Sequence, residues 1–442
     1  MRHRAVKSTV SGALYALLLS GCVMQDGGAN GTATMMAMHK PDTHKPEKSA
    51  RAKESAESAV IAALQARRSA LPSGSSYDQV AANVLAASSR SAEAELRSAR
   101  LRAEAQSKNW LPSIGPSISL SSLGAVVAGL LVEQVLFDNG RKKAERDFAK
   151  ADVEVAAATL SIDTNDRVYE ALSLYISAEE GRAKATLSSR IYDDMKHFEW
   201  IMNERVTGGV SDMSDLQILR QKLSHIKSEH SAAAESVSAA LAELNAMSAR
   251  PLGGLTGLSE VAVTAKDAKP LSVLKAEAER ARAIAEAKIS RAGHLPGAKL
   301  TATAGTGGSS VKPNISVGSD NLLGLGTGAS LKAIAAEKEA AARRVAQAQE
   351  DANRRLRALE QRLAAQDRQA AEAATMTAQA KANLDIFQEQ YEAGQRQVMD
   401  VVGVFETFAA QQRSEVVLKY KAALTRLEIA KELGLLANGE EI

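Results

Sequence analysis

The sequence predicts a mainly α fold of long antiparallel helical hairpins, laid out as an internal tandem duplication, with four short β-strands set between the helices. Three observations predict it. Ala, Glu, Lys, Arg, Gln and Leu dominate long stretches while only 3% of the 442 residues are aromatic, the profile of extended helices packed side by side rather than around a thick core. Two segments, AEAELRSARLRAEAQSKNWLP and AEAERARAIAEAKISRAGHLP, end in Leu-Pro at Pro112 and Pro296, 184 residues apart, and the Glu93 and Glu277 that open them keep that offset. Further on, Gly209 and Asp215 recur as Gly394 and Asp400 at an offset of 185. A nearly constant spacing between markers so far apart makes the chain a duplication, one half running over 78–248 and the other over 270–437, joined by a linker at 249–269 and followed by a tail at 438–442.

The N-terminus reads separately. Arg2, Arg4 and Lys7 precede an apolar stretch from Ala13 to Leu19, too short to span a bilayer as a helix and so a signal peptide over 1–21. The single cysteine, Cys22, closes the sequence Leu19-Ser20-Gly21-Cys22. This resembles the bacterial lipobox, which implies an acylated Cys22 as first residue of the mature chain and sorting to the cell outer membrane. Residues 22–77 are polar and irregular apart from a short helix within 50–69, and read as a lipid anchor and flexible linker. Within them Met35, Met36, Met38, His39 and His44 offer soft donors suited to cuprous or silver ions, but their spacing fits no defined site, so no metal is assigned.

Each half then follows one plan. A helix of about 30 residues ends at Leu-Pro, because proline restricts the residue before it. In the first half Ile114, Pro116, Ile118 and Leu120 alternate with serines and a glycine, and a second apolar run reaches Phe137. In the second, Ala298, Leu300, Ala302 and Ala304 alternate with Lys299, Thr301 and Thr303, and Val311, Pro313, Ile315 and Val317 alternate with Lys312, Asn314 and Ser316. A period of two is that of a strand with one apolar face, giving β-hairpins over 113–137 and 298–320. A helix of about 65 to 70 residues follows each, on the order of 100 Å long, with Leu356, Leu359 and Leu363 marking a packing seam in the second. The helices turn back at tips over 207–212 and 393–397. Glycine inside a helix costs about 1 kcal/mol relative to alanine, and accepts positive φ freely, so Gly209 and Gly394 mark reversals.

Four strands, each polar on one face, cannot close a sheet, and an open edge cannot face lipid; several chains must share one barrel. With signal peptide, lipobox and duplication, the chain resembles the TolC-like family of outer-membrane efflux and secretion channels over 78–437, through NWLPSIGPSISL, VLFDNGRKKAERD, RVTGGVSDMSDL and YEAGQRQVMDVV. The resemblance implies a homotrimer, with a trimeric α-barrel across the periplasm and a shared 12-stranded transmembrane β-barrel in the outer membrane. It implies a periplasmic adaptor (membrane fusion) protein docked at the Gly209 and Gly394 tips, and an inner-membrane pump of RND or ABC type supplying the energy. Ser214, Asp215, Tyr391 and Arg396 fall on positions that hold the family's tunnel shut. Asp400 falls on a carboxylate that lines the pore constriction, and Gly403 stands where a second acidic ring is expected.

Other classes fare worse. Charge is nearly balanced, 55 Lys plus Arg against 52 Asp plus Glu, with no basic stripe interleaved with aromatics, so nucleic acid is not a partner. No ligand spacing links the seven histidines, no nucleophile elbow appears and GLGTGASLK lacks phosphate-loop spacing; no enzyme and no cofactor is read. Trp110 and Phe137 are too few to girdle a barrel. The alternative is a periplasmic coiled-coil lipoprotein with a structural or adaptor role and no pore. The duplication and absent lipoyl-like domains favour the duct, for efflux or type I secretion.

Overall fold

The computed structural model describes residues 58–88, 90–120, 126–264, 266–305, 312–320 and 324–441. The signal peptide, Cys22 and the Met35–His44 cluster lie outside the described residues. Eight α-helices and four strands are described, in the order α1 (Ala59–Gln65), α2 (Ser76–Ala86), α3 (Ser91–Ser107), β1 (Ser113–Leu120), β2 (Val126–Phe137), α4 (Arg141–Thr207), α5 (Met213–Ala246), α6 (Leu271–Gly293), β3 (Gly297–Gly305), β4 (Lys312–Gly318), α7 (Thr327–Glu392) and α8 (Val398–Leu433). A 3-10 turn over Gly439–Glu441 follows.

The helix expected before the first Leu-Pro is two helices. Helix α2 ends at Ala86 and α3 starts at Ser91, and Arg90, the residue before α3, turns its guanidinium to Thr164 Oγ1 at 2.5 Å and to Glu93. The strands form one antiparallel sheet, ordered β1-β2-β3-β4, in which β2 pairs with β3 and so joins the two hairpins. Register aligns the alternation across all four. Ile114 opposes Val132, Pro116 opposes Leu130, Leu130 opposes Ala304, Val132 opposes Ala302, Leu300 opposes Ile315 and Ala298 opposes Val317, which puts these residues on one apolar face. The other face carries Ser113, Ser117, Glu133, Lys299, Thr301, Thr303, Asn314 and Ser316, with Leu131 and Val135 of β2 among them, while Gln134 falls on the apolar face opposite Leu300. Pro116 and Pro313 lie on β1 and β4, the edge strands, where a residue without an N–H is tolerated.

The sheet hands the chain to α4 through a defined turn. Asn139 and Gly140 adopt positive φ, Asp138 accepts from the N–H groups of Gly140 at 3.0 Å and Lys142 at 2.6 Å, and the Asn139 amide donates to Pro296 O at 2.9 Å. Helices α4 and α7, of 67 and 66 residues, each run about 100 Å before α5 and α8 return. Leu356 and Leu359 of the expected seam are buried with Ile429 and Leu433 of α8, and Leu363 packs against them.

The described parts of the flexible linker, the inter-repeat linker and the C-terminal tail are packed on the helices. Within the stretch read as a flexible linker, Val60, Ile61 and Leu64 of α1 bury among Ala157, Leu160, Leu271 and Leu274, while Leu71 and Tyr77 enter a second core with Leu172, Tyr175, Ile176 and Leu427. Arg67, buried, donates to Leu433 O and, at 2.6 Å, to Lys269 O, satisfying the end of α8. Burial lowers this guanidinium to about 10. The residues at 249–269 are held too: Leu252 and Val261 are buried, Tyr175 Oη donates to Gly257 O at 2.8 Å, and Arg182 reaches Leu255 O and Gly253 O at 2.7 Å. The C-terminal tail docks on α1, where Gly439 N donates to Arg67 O at 3.1 Å and Ser69 N to Asn438 Oδ1 at 3.0 Å. The short helix expected within 50–69 is α1, and its apolar residues bury against α4 and α6.

Candidate functional site

The two helix reversals are built alike. Gly209 has φ +73° and Gly394 φ +72°, and at neither does any atom lie within 4 Å of where a Cβ would sit. Backbone conformation, not lack of room, therefore requires glycine there. Each glycine closes a helix end in which an N–H reaches five residues back: Val210 N to Arg205 O at 2.8 Å, and Gln395 N to Gln390 O at 2.8 Å. These satisfy carbonyls that the helix itself leaves open. At the first tip Arg205 Nε donates to Ser211 Oγ at 3.1 Å, and Asp212 caps α5 by accepting from Ser214 N at 3.2 Å. At the second, Arg396 Nε donates to Gln390 Oε1 at 3.0 Å and its guanidinium lies 4.5 Å from the centre of the Phe387 ring.

The residues read as a lock are thus split between the tips. Ser214 and Asp215 stand on the first turn of α5, the serine exposed; Tyr391 is half-buried at the end of α7 and Arg396 exposed in the turn. Among the described residues, no ion pair within the chain joins Asp215 to Arg396. Asp400 is exposed, and its Oδ2 accepts from Gln397 N at 3.1 Å in a capping box that starts α8. Gly403 and Thr407 continue the exposed row of Asp400 along the helix.

Behind the tips the two hairpins share one core. Ile191, Met195, Phe198 and Met202 of α4 pack with Leu216, Leu219 and Ile226 of α5, Leu384 of α7, and Val398, Val401, Val402 and Phe405 of α8. The Phe198 and Phe405 rings meet edge to face at 5.6 Å. Burial raises the Asp194 carboxyl above its ordinary range, Asp193 beside it adding to the effect and His197 opposing it.

Further from the tips α5 and α8 part around cavities of about 390 and 570 Å³ over α4, and two ion pairs bridge them. Lys222 Nζ lies 2.5 Å from Glu406 Oε1, and Arg413 Nη2 lies 2.7 Å from Glu229 Oε2. His225 Nδ1 stands 3.7 Å from the other oxygen of Glu229. These pairs were not anticipated from the sequence. The signal was present: both join residues 184 apart, the spacing of the repeated Leu-Pro pairs, with charge reversed between partners. No group of His, Cys, Asp and Glu that could hold a metal ion occurs among the described residues, and none of their helices is long and apolar enough to cross a membrane.

Two α-hairpins of about 100 Å, each led by a β-hairpin and sharing one four-stranded sheet, match solved structures over most of the chain. An outer membrane protein, VceC of Vibrio cholerae, superposes with a TM-score of 0.68 at 16% identity, covering 80% of this chain and 96% of that one. This is a TolC-like fold. The CmeC outer membrane channel of Campylobacter jejuni gives 0.66 at 14% identity over 82% of this chain and 86% of that one. The open state of the MtrE outer membrane channel of Neisseria gonorrhoeae gives 0.63 at 13% identity over 87% and 90%. No family model and no curated protein matches the sequence, so the TolC-like fold here is a likeness of shape at identities of 13 to 16%.

Proposed function

We propose that the chain is one third of an outer-membrane export duct, passively conducting substrates delivered by an inner-membrane pump through a periplasmic adaptor. One observation carries the reading: a sheet apolar on one face in every strand, with open edges at β1 and β4, stands at the head of helical hairpins about 100 Å long. A sheet edge is intolerable in lipid, so the edges close against other copies; three copies of four strands give a closed barrel with its apolar face toward lipid and its polar face toward a lumen. The solved structures it resembles include outer membrane channels.

The remaining assignments extend this reading. Cys22 carries the lipid and holds the chain at the outer membrane. The chain arose by duplication, each repeat supplying one α-hairpin, and the Gly209 and Gly394 tips receive the adaptor. Asp400, repeated by three-fold symmetry, gives a ring of carboxylates that favours cations, its second oxygen free of the capping bond. Asp215 and Arg396, unpaired with one another in the single chain, meet across protomers to hold the entrance shut, with Ser214 and Tyr391 beside them. The pump is of RND or ABC type, for efflux or type I secretion.

Single-channel recording of the purified protein in planar bilayers tests the proposal. The native trimer is expected to conduct poorly and the Asp215→Ala, Arg396→Ala double variant to conduct well. A trimer silent in both forms would overturn the duct, and a chain that never trimerises would overturn the shared barrel.

A further inference from the structure

Where the sheet passes into the helices, its polar face becomes charged. Glu133 and Lys299 are the charged residues of β2 and β3; both lie on the face that the duct reading turns to the lumen, toward the helix-side ends of their strands. Lys299 Nζ is 3.5 Å from Glu133 Oε1. Next to them Arg141, at the start of α4, pairs with Asp320, beyond the end of β4, and its Nε lies 3.1 Å from Glu145 Oε1. These groups, with Asp138 and Lys142, line a cavity of about 300 Å³ at the junction. Among its described lining residues four carboxylates meet three cations, so the two signs nearly cancel.

Stability does not account for pairs so placed. The side chains of Glu133, Lys299, Arg141 and Asp320 are 33 to 46% exposed, and ion pairs as open as these add little to folding. What the two pairs share is their origin. Each takes one charge from either half of the chain, Glu133 and Arg141 from the first, Lys299 and Asp320 from the second. The strand charges do not recur at the spacing of 184 residues that relates the halves, where Glu133 is matched by Val317 and Lys299 by Gly115. Each charge therefore faces a compensating one across the junction of the halves, rather than a copy of itself. Asp400 differs: its carboxylate accepts from Gln397 N, and among the described residues no cation pairs with it.

We propose that the Glu133–Lys299 and Arg141–Asp320 pairs make a charge-balanced neck in the duct, which passes solutes of either sign and leaves selection by charge to Asp400 at the far end of the helices. The inference rests on the reading of the polar face as the wall of a lumen. At physiological ionic strength a charge acts over about 8 Å, so a partner 3.5 Å away cancels much of the field that a passing ion meets. Removing one partner uncovers the other, and three-fold symmetry turns the uncovered group into a ring of like charge, which selects by sign.

Reversal potentials in a gradient of potassium chloride test the neck. They are measured in planar bilayers on the Asp215→Ala, Arg396→Ala background, with Asp400→Ala added so that the entrance ring does not mask the neck. Lys299→Gln is expected to shift permeability toward potassium and Glu133→Gln toward chloride, while the two together return the starting value. Arg141→Gln and Asp320→Asn should repeat the opposite shifts from outside the strands, and they keep the test decisive where a strand variant fails to assemble. Single variants that leave the reversal potential unmoved, whatever they do to the melting temperature of the trimer, or that all move it one way, overturn the neck and leave the duct standing. A background protein that conducts nothing overturns the duct, and the neck with it.

Discussion

Helices α4 and α7 have nearly the same length and opposite surroundings. Helix α4 touches α1, α2, α3, α5, α6 and α8 and is buried along its course, from Ala144 to Met202. Among the described residues helix α7 packs chiefly on α6 and α8, and its buried residues are Ala341, Ala352, Leu356, Leu359, Ala373 and Leu384. Their sequences account for this. Val168, Leu172, Tyr175, Ile176, Ile191 and Met195 give α4 large apolar groups on several sides, whereas α7 is chiefly Ala, Arg, Gln and Glu. Those are the strongest intrinsic helix formers, and pairs such as Arg343–Glu339 and Lys381–Asp385, four residues apart, add local support. One helix is held by its neighbours, the other by its own composition. The lesson is that packing inside one chain is finished around α4 and unfinished around α7, whose alanine flanks leave room for a second copy to approach closely.

The contrast can be broken most forcefully at α4. Leu172→Ala, at 0% exposure, is expected to cost about 3 kcal/mol by the usual toll of a large core truncation, read as a lowered urea midpoint. On α7, Ile386→Arg, at 51% exposure, should leave the helix content of the chain unchanged and lower the trimer fraction in native mass spectrometry; an unaltered trimer would mean that this part of α7 faces solvent. The two tips should instead behave alike. Gly209→Ala and Gly394→Ala each force alanine into a left-handed conformation at a cost of about 1 kcal/mol, and a clear inequality in their denaturation midpoints would show that the tips are not equivalent. Asp400→Ala is expected to cost a similar ~1 kcal/mol through the lost cap and, in bilayers, to reduce the preference for cations. Smallest is the bridge between α5 and α8. Lys222→Ala should cost at most about 1 kcal/mol and the effect should fade at high salt, with the exchanged pair Lys222→Glu, Glu406→Lys restoring the loss.

The alternation of β1 and β3, the two Leu-Pro stops and the two glycine reversals were legible because each rests on a local rule: a period of two, a restricted residue before proline, a positive φ. What escaped the sequence was decided at long range. Val60, Ile61 and Leu64 are ordinary residues in a polar stretch until α4 and α6 provide a surface for them. Arg67 reads as a solvated charge, yet it closes the end of a helix 366 residues away. At the tips, sequence placed Gly209 and Gly394, but the cap that Asp400 makes at the start of α8 was not read.

The prolines on β1 and β4 bear on how such a chain survives before it is assembled. A strand edge with every N–H free will pair with almost any extended segment it meets. Pro116 and Pro313 each remove one donor from the two strands that stand open in the single chain, and short edge strands limit the hazard further. In the barrel proposed above, a single copy would thus be guarded against random strand exchange until its helices had found their neighbours.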